Sequence, residues 1–201
     1  MNFEYTKIPE EKAYDLRNRF IDTFVDTSKD LYIKYIKDLK AKDTVNAEGF
    51  VVSFLWSCLK KNVAYKVDFY DAMRFLHKRK NENVFVMWDI RPYKVIYPEE
   101  WWEKSIYTPP CELILKSDEV ISITPKELCE VLIHDHHIET HRLGDIVEYF
   151  LREDVYVFDE TFTWYIALTH NEVDIHNEKR LCFSNIHPDN NDKTKPMMVK
   201  G

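Results

Sequence analysis

Residues 152–170 read REDVYVFDETFTWYIALTH, and the spacing of their apolar side chains decides the fold class. Val155 to Phe158 form a short apolar run. Asp159, Glu160 and Thr161 follow as turn residues, because Asp side chains bond local backbone donors. Phe162, Trp164, Ile166 and Leu168 then alternate with Thr163, Tyr165, Ala167 and Thr169. A period of two is the signature of a strand with one face toward a core. The stretch therefore predicts a β-hairpin whose second strand is the longer. RLCFS at 180–184 is its expected next neighbour, reached across NEVDIHNEK.

Working outward, NVFVMWDI (83–90) predicts another strand and YKVIYP (93–98) a further one ended by Pro98. CELILKSDEVISIT (111–124) gives two apolar runs around KSDE, a hairpin signal. Upstream of residue 83 the period changes to that of helices. PEEKAYDLRNRFIDTF starts at Pro9 with acidic first-turn residues, and its Ala13, Leu16, Phe20 and Phe24 make one stripe. TSKDLYIKYIKDLKAK predicts a second helix, capped by Thr27, with Tyr32, Tyr35, Ile36 and Leu39 inward. NAEGFVVSFLWSCLKK has helical spacing, and DFYDAMRFLHKRK predicts a helix capped by Asp68 with Phe69, Met73 and Leu76 inward and His77 exposed. TPKELCEVLIHDHHIETH has Thr124 as cap, Pro125 in the first turn and Glu127 closing a capping box. The expectation is α+β: N-terminal helices packed on a mainly antiparallel sheet, in one domain over 1–188. That domain is helical over 10–80 and sheet-rich over 84–184, with a helix at 125–142 and a flexible tail at 189–201.

Composition narrows the function classes. The chain has 201 residues and three glycines, of which only Gly49 and Gly144 are internal. They cannot build a glycine-rich phosphate loop, so no nucleotide cofactor is expected. A net charge of −7 argues against nonspecific binding to nucleic acid and favours a basic protein partner. Cys58, Cys111, Cys129 and Cys182 are widely spaced with no CxxC, and the N-terminus is charged. Reduced thiols in a cytoplasmic protein are the expectation, with no membrane span.

HDHHIETH (134–141) holds four of the chain's eight histidines. On a helix His134, His137 and His141 share the face opposite Leu128, Val131, Leu132 and Ile138. Zinc needs several imidazoles brought together, so these three are the metal candidates. The HExxH order is missing, because Glu139 stands second after His137. No cysteine is spaced to complete a set, and no metal is expected.

The hairpin also carries a resemblance. An acidic pair, an apolar strand, Asp, a two-residue turn, an aromatic–x–Trp strand and Thr-His recur in small uncharacterised bacterial families. Here those positions are Glu153, Asp154, Asp159, Phe162, Trp164, Thr169 and His170, with Asn171 where a Glu often follows. The FLW at 54–56 within a helical N-terminal third is similar to that group too. Some similar folds serve as immunity proteins beside toxins. The resemblance carries no established activity of its own; together with the −7 charge, the many aromatics and the absence of cofactor motifs it leads to the expectation of a non-enzymatic binding protein, an immunity-type inhibitor of a basic partner, with Asp159, Trp164, Thr169 and His170 as binding residues. The same four also fit structural roles: a turn acceptor, a core indole and a strand end. The competing expectation is a small metal-dependent or histidine-based hydrolase in which His170 is a general base helped by Asp159 or Glu172. No GxSxG elbow supplies a nucleophile.

Overall fold

The computed structural model describes residues 4–40, 55–88, 119–141, 154–169 and 182–186, without the side chains of 38–40 and 134–141. Among the described residues seven strands form one antiparallel sheet: β1 (Tyr5–Lys7), β2 (Tyr65–Val67), β3 (Val84–Trp88), β4 (Val120–Ile123), β5 (Val155–Phe158), β6 (Tyr165–Leu168) and β7 (Cys182–Ser184). Their order across the sheet is β1-β4-β3-β5-β6-β7-β2. The fold is α+β, as the change of period implies.

The expected hairpin is at the centre, but its second strand is not the longer: β5 and β6 are four residues each, because β6 begins only at Tyr165. Val155 pairs with Leu168 and Phe158 with Tyr165, and β7 lies beside β6 with Ile166 opposite Ser184. β3 pairs with β5 through Trp88–Val155, which joins the C-terminal hairpin to the middle of the chain. The edge strands β1 and β2 are three residues each and come from the N-terminal third, outside the range expected for the sheet. Three residues are too few to display a period, so only pairing with β4 and β7 identifies them. The expected strands at 93–98 and 111–115, the residue 189–201 tail and Cys111 lie outside the described residues.

Four α-helices among the described residues cover the sheet: α1 (Glu10–Phe24), α2 (Asp30–Lys40), α3 (Phe69–Lys78) and α4 (Pro125–His141). They do so on both faces. Tyr156, Phe158, Tyr165, Ala167, Phe85 and Met87 point into a cluster with Ala13, Leu16, Phe20 and Phe24 of α1 and Tyr35 of α2. Val155, Val157, Ile166, Leu168, Val84 and Val86 point the other way, against Phe69, Met73 and Leu76 of α3 and Leu128, Val131 and Leu132 of α4. The N-terminal helices are thus divided between the two sides. A sheet covered twice needs apolar side chains at every position, and β3 and β5 are buried throughout.

Local chemistry explains the helix ends. Asp68 accepts from the N–H groups of Tyr70 at 2.9 Å and Asp71 at 3.4 Å, as expected of an N-cap. Thr124 Oγ1 accepts the N–H of Glu127 at 3.3 Å and donates to Glu127 Oε2 at 2.7 Å. The other carboxylate oxygen accepts the N–H of Glu4 at 3.1 Å, so the box also fastens β1 to the start of α4. The cap expected at Thr27 is not there, because α2 begins at Asp30. Asp26 takes the turn instead, accepting from the N–H and hydroxyl of Ser28. Of the helical spacing expected over 46–61, the described part holds a 3-10 turn, Leu55–Cys58, and residues 46–54 lie outside the described residues.

α1 ends without a basic residue in its last turn. Lys60 supplies the cation from the returning chain, donating to the carbonyls of Asp22 at 2.8 Å and Thr23 at 2.9 Å.

Candidate functional site

The loop between β5 and β6, residues 159–164, is the most elaborately built turn among the described residues. Phe162 N–H closes it onto the Asp159 carbonyl at 3.1 Å. The Asp159 carboxylate then gathers the rest: Oδ1 accepts from Thr163 N–H at 2.8 Å and Trp164 N–H at 3.1 Å, and Oδ2 from the hydroxyls of Thr163 and Thr161. Partial burial alone would push this carboxyl up. The hydrogen bonds from Thr161, Trp164 and Thr163 outweigh it and hold the group below its ordinary value. Asn185 braces the far side, accepting Tyr165 N–H at 2.9 Å and donating to the Thr163 carbonyl at 2.9 Å.

This network puts Phe162 at φ 56°, in the left-handed region that costs a bulky residue energy. The expected alternation through Phe162 is broken there. Trp164, Ile166 and Leu168 share the α3–α4 side, whereas Phe162 lies on the α1 side, stacked on Phe158 at 5.1 Å. The strand starts at Tyr165, and a residue in the left-handed conformation redirects the chain before it.

An arginine stacks against each side of the loop. The Arg19 guanidinium lies over the Phe162 ring at 4.4 Å. That of Arg79 lies over Phe75 at 3.9 Å, with Trp164 edge-on to Phe75 at 5.1 Å. Beside Arg19 a groove of about 370 Å³ runs between α1 and the loop, lined by Lys12, Asp15, Leu16, Asn18, Arg19 and Glu160. Lys12 spans it to Glu160 at 3.8 Å.

The candidate residues named from sequence divide between the two ends of the hairpin. Asp159 and Trp164 are at the loop, the first half-buried and the second 3% exposed in the core. Thr169 is fully buried at the other end of β6, next to Asp154 by continuation of the Val155–Leu168 pairing. Five residues of extended chain separate Trp164 from Thr169, roughly 17 Å. His170 and Glu172 lie outside the described residues. Asp159 is committed to its own loop, a strand's length from Thr169. His134, His137 and His141 share one continuous helix, α4, and their side chains lie outside the described residues. Among the described residues no three histidine, cysteine or acidic side chains are grouped to hold a metal, and no helix is long and apolar enough to cross a membrane.

No motif in the sequence marks Arg19, Tyr14 or Asn185. A helical wheel could have found the first two. With Ala13, Leu16, Phe20 and Phe24 inward, Tyr14 falls on one flank of α1 and Arg19 on the other. Asn185 has no comparable signal, since its role exists only because β7 runs beside β6. Cys58, Cys129 and Cys182 are buried, and desolvation, with a contribution from Glu130, pushes the Cys129 thiol up to about 12. The chain matches no protein-family model, no curated protein and no solved structure.

Proposed function

We propose that this chain is a non-enzymatic protein-binding domain whose partner is basic, acting in the manner of an immunity-type inhibitor. The observation that carries this reading is Tyr14, which stands 67% exposed on α1 with Glu10 and Glu11 one turn before it. Large aromatics anchor protein interfaces, and an exposed phenol ring with two carboxylates one helical turn before it suits an approaching lysine or arginine. Asp15 and Asp22 are exposed on the same helix, and the chain as a whole carries −7, so long-range attraction would speed encounter with a cation-rich surface. Both faces of the sheet are occupied by helices, which leaves helix surfaces and loops to meet a partner.

The test is affinity capture of the full chain from its producing cell, alongside Tyr14→Ala and a Glu10→Gln/Glu11→Gln double variant, at low and high salt. The expected result is a basic protein, identified by mass spectrometry, whose capture falls at high salt and in both variants. Capture of an acidic protein, or of one indifferent to all three changes, would overturn the reading.

A further inference from the structure

Arg19 is exposed, yet it makes no ion pair among the described residues. Two carboxylates line the groove beside it. Glu160 is engaged by Lys12 at 3.8 Å, and Asp15, one helical turn from Arg19, forms no bridge to it. The guanidinium instead lies on the Phe162 ring at 4.4 Å, and Phe162 is held beneath it at φ 56° by the Asp159 network. Stacking through the face leaves the N–H edge of a guanidinium unused, and that edge has the geometry of a carboxylate. Left-handed backbone at a bulky aromatic is the kind of strain that accompanies binding sites. A volume of about 370 Å³ matches a small ligand or one side chain of a larger one.

We propose that the groove between α1 and the β5–β6 loop is a carboxylate-binding site, with Arg19 the group that recognises the ligand. Lys12 and Glu160 cancel one another's charge at the far wall. Asp15 is placed to accept an N–H carried by the same ligand, which favours an amino-acid or peptide carboxylate over a simple anion. Phe162 is the positioning residue, since its ring lies beneath the guanidinium at 4.4 Å. The site does not depend on the basic-partner reading: it occupies the flank of α1 opposite Tyr14 and rests on Arg19 and Phe162, which that reading does not use, with Asp15 the one residue common to both.

The experiment follows backbone N–H signals of Glu160 and Phe162 in the full chain by NMR. The probes are sodium acetate, free glutamate and N-acetylglutamate amide, each exchanged against sodium chloride at constant ionic strength. Saturable shifts that weaken about tenfold or more in Arg19→Gln, but persist in a Lys37→Gln control on α2, support the site. Tighter binding of free glutamate identifies a small-molecule ligand, and tighter binding of the blocked form an acidic residue of a polypeptide. Phe162→Leu should weaken the same shifts while leaving Arg19 in place. Melting curves check that each variant folds. Shifts that fail to saturate, that chloride reproduces, or that survive in a folded Arg19→Gln variant would overturn the proposal.

Discussion

Asp159 Oδ1 accepts the backbone N–H of Trp164 at 3.1 Å, so one carboxylate couples the solvent-facing turn to an indole buried against α3. The same oxygen accepts Thr163 N–H, and the network sets where β6 begins. Asp159→Ala should therefore cost about 1–3 kcal/mol, the range for leaving several donors without an acceptor. Urea denaturation measures it. A loss below about 0.5 kcal/mol would mean the loop holds its shape without the carboxylate.

The pH dependence of that loss has a definite sign. The folded carboxyl lies below its ordinary value, so the unfolded chain takes up a proton first as acid is added. The Asp159 contribution is complete above the unfolded value, about 3.9, and fades as pH falls toward the folded one. The stability difference between wild type and Asp159→Asn should be larger at pH 7 than at pH 3. A constant difference across that range would contradict the assignment.

Trp164 is 3% exposed and meets Phe75 edge-on. Trp164→Ala should destabilise by about 3–5 kcal/mol, as deletion of a buried aromatic does. Equilibrium denaturation followed by far-UV circular dichroism would show it. A cost under about 1 kcal/mol would place the indole at an interface and not in the core.

Thr124 caps α4 and, through Glu127, holds the N–H of Glu4. Thr124→Ala should cost about 1 kcal/mol. Glu127→Ala should in addition speed amide hydrogen exchange at Glu4, more than in the middle of α4. Equal acceleration along the helix would show that the tie to the N-terminal strand carries no weight.

Cys58, Cys129 and Cys182 are buried, and desolvation suppresses the Cys129 thiolate most clearly. Native protein at pH 8 should leave all three unmodified by a thiol reagent, with labelling mapped by mass spectrometry only after denaturant is added. Rapid native labelling of Cys129 would contradict its packing beneath α3, where Sγ donates to the Met73 carbonyl at 3.6 Å.

Much of this architecture is written in short-range chemistry. Ala13, Leu16, Phe20 and Phe24 fall on one stripe and are buried together. Asp68 and Thr124 cap their helices because an oxygen two or three residues before a free N–H acts wherever the chain goes next. The β5–β6 hairpin and its neighbour β7 follow from apolar runs broken by a turn. What depends on contacts between distant residues was not legible. β1 and β2 become strands by pairing with β4 and β7. Residues of like spacing in α1 and α3 settle on opposite faces of the sheet, because amphipathicity specifies that a stripe is buried but not against which surface. Lys60 closes α1 from a distance of more than thirty residues. Asp159 was legible as a turn acceptor. Its full set of donors turned Phe162 toward α1, and Arg19 found that ring only once the helix lay over the sheet. Local hydrogen bonds and periodicity set the elements. The choice of face, edge and groove belongs to tertiary packing, because it depends on which surfaces remain to be covered when the elements meet.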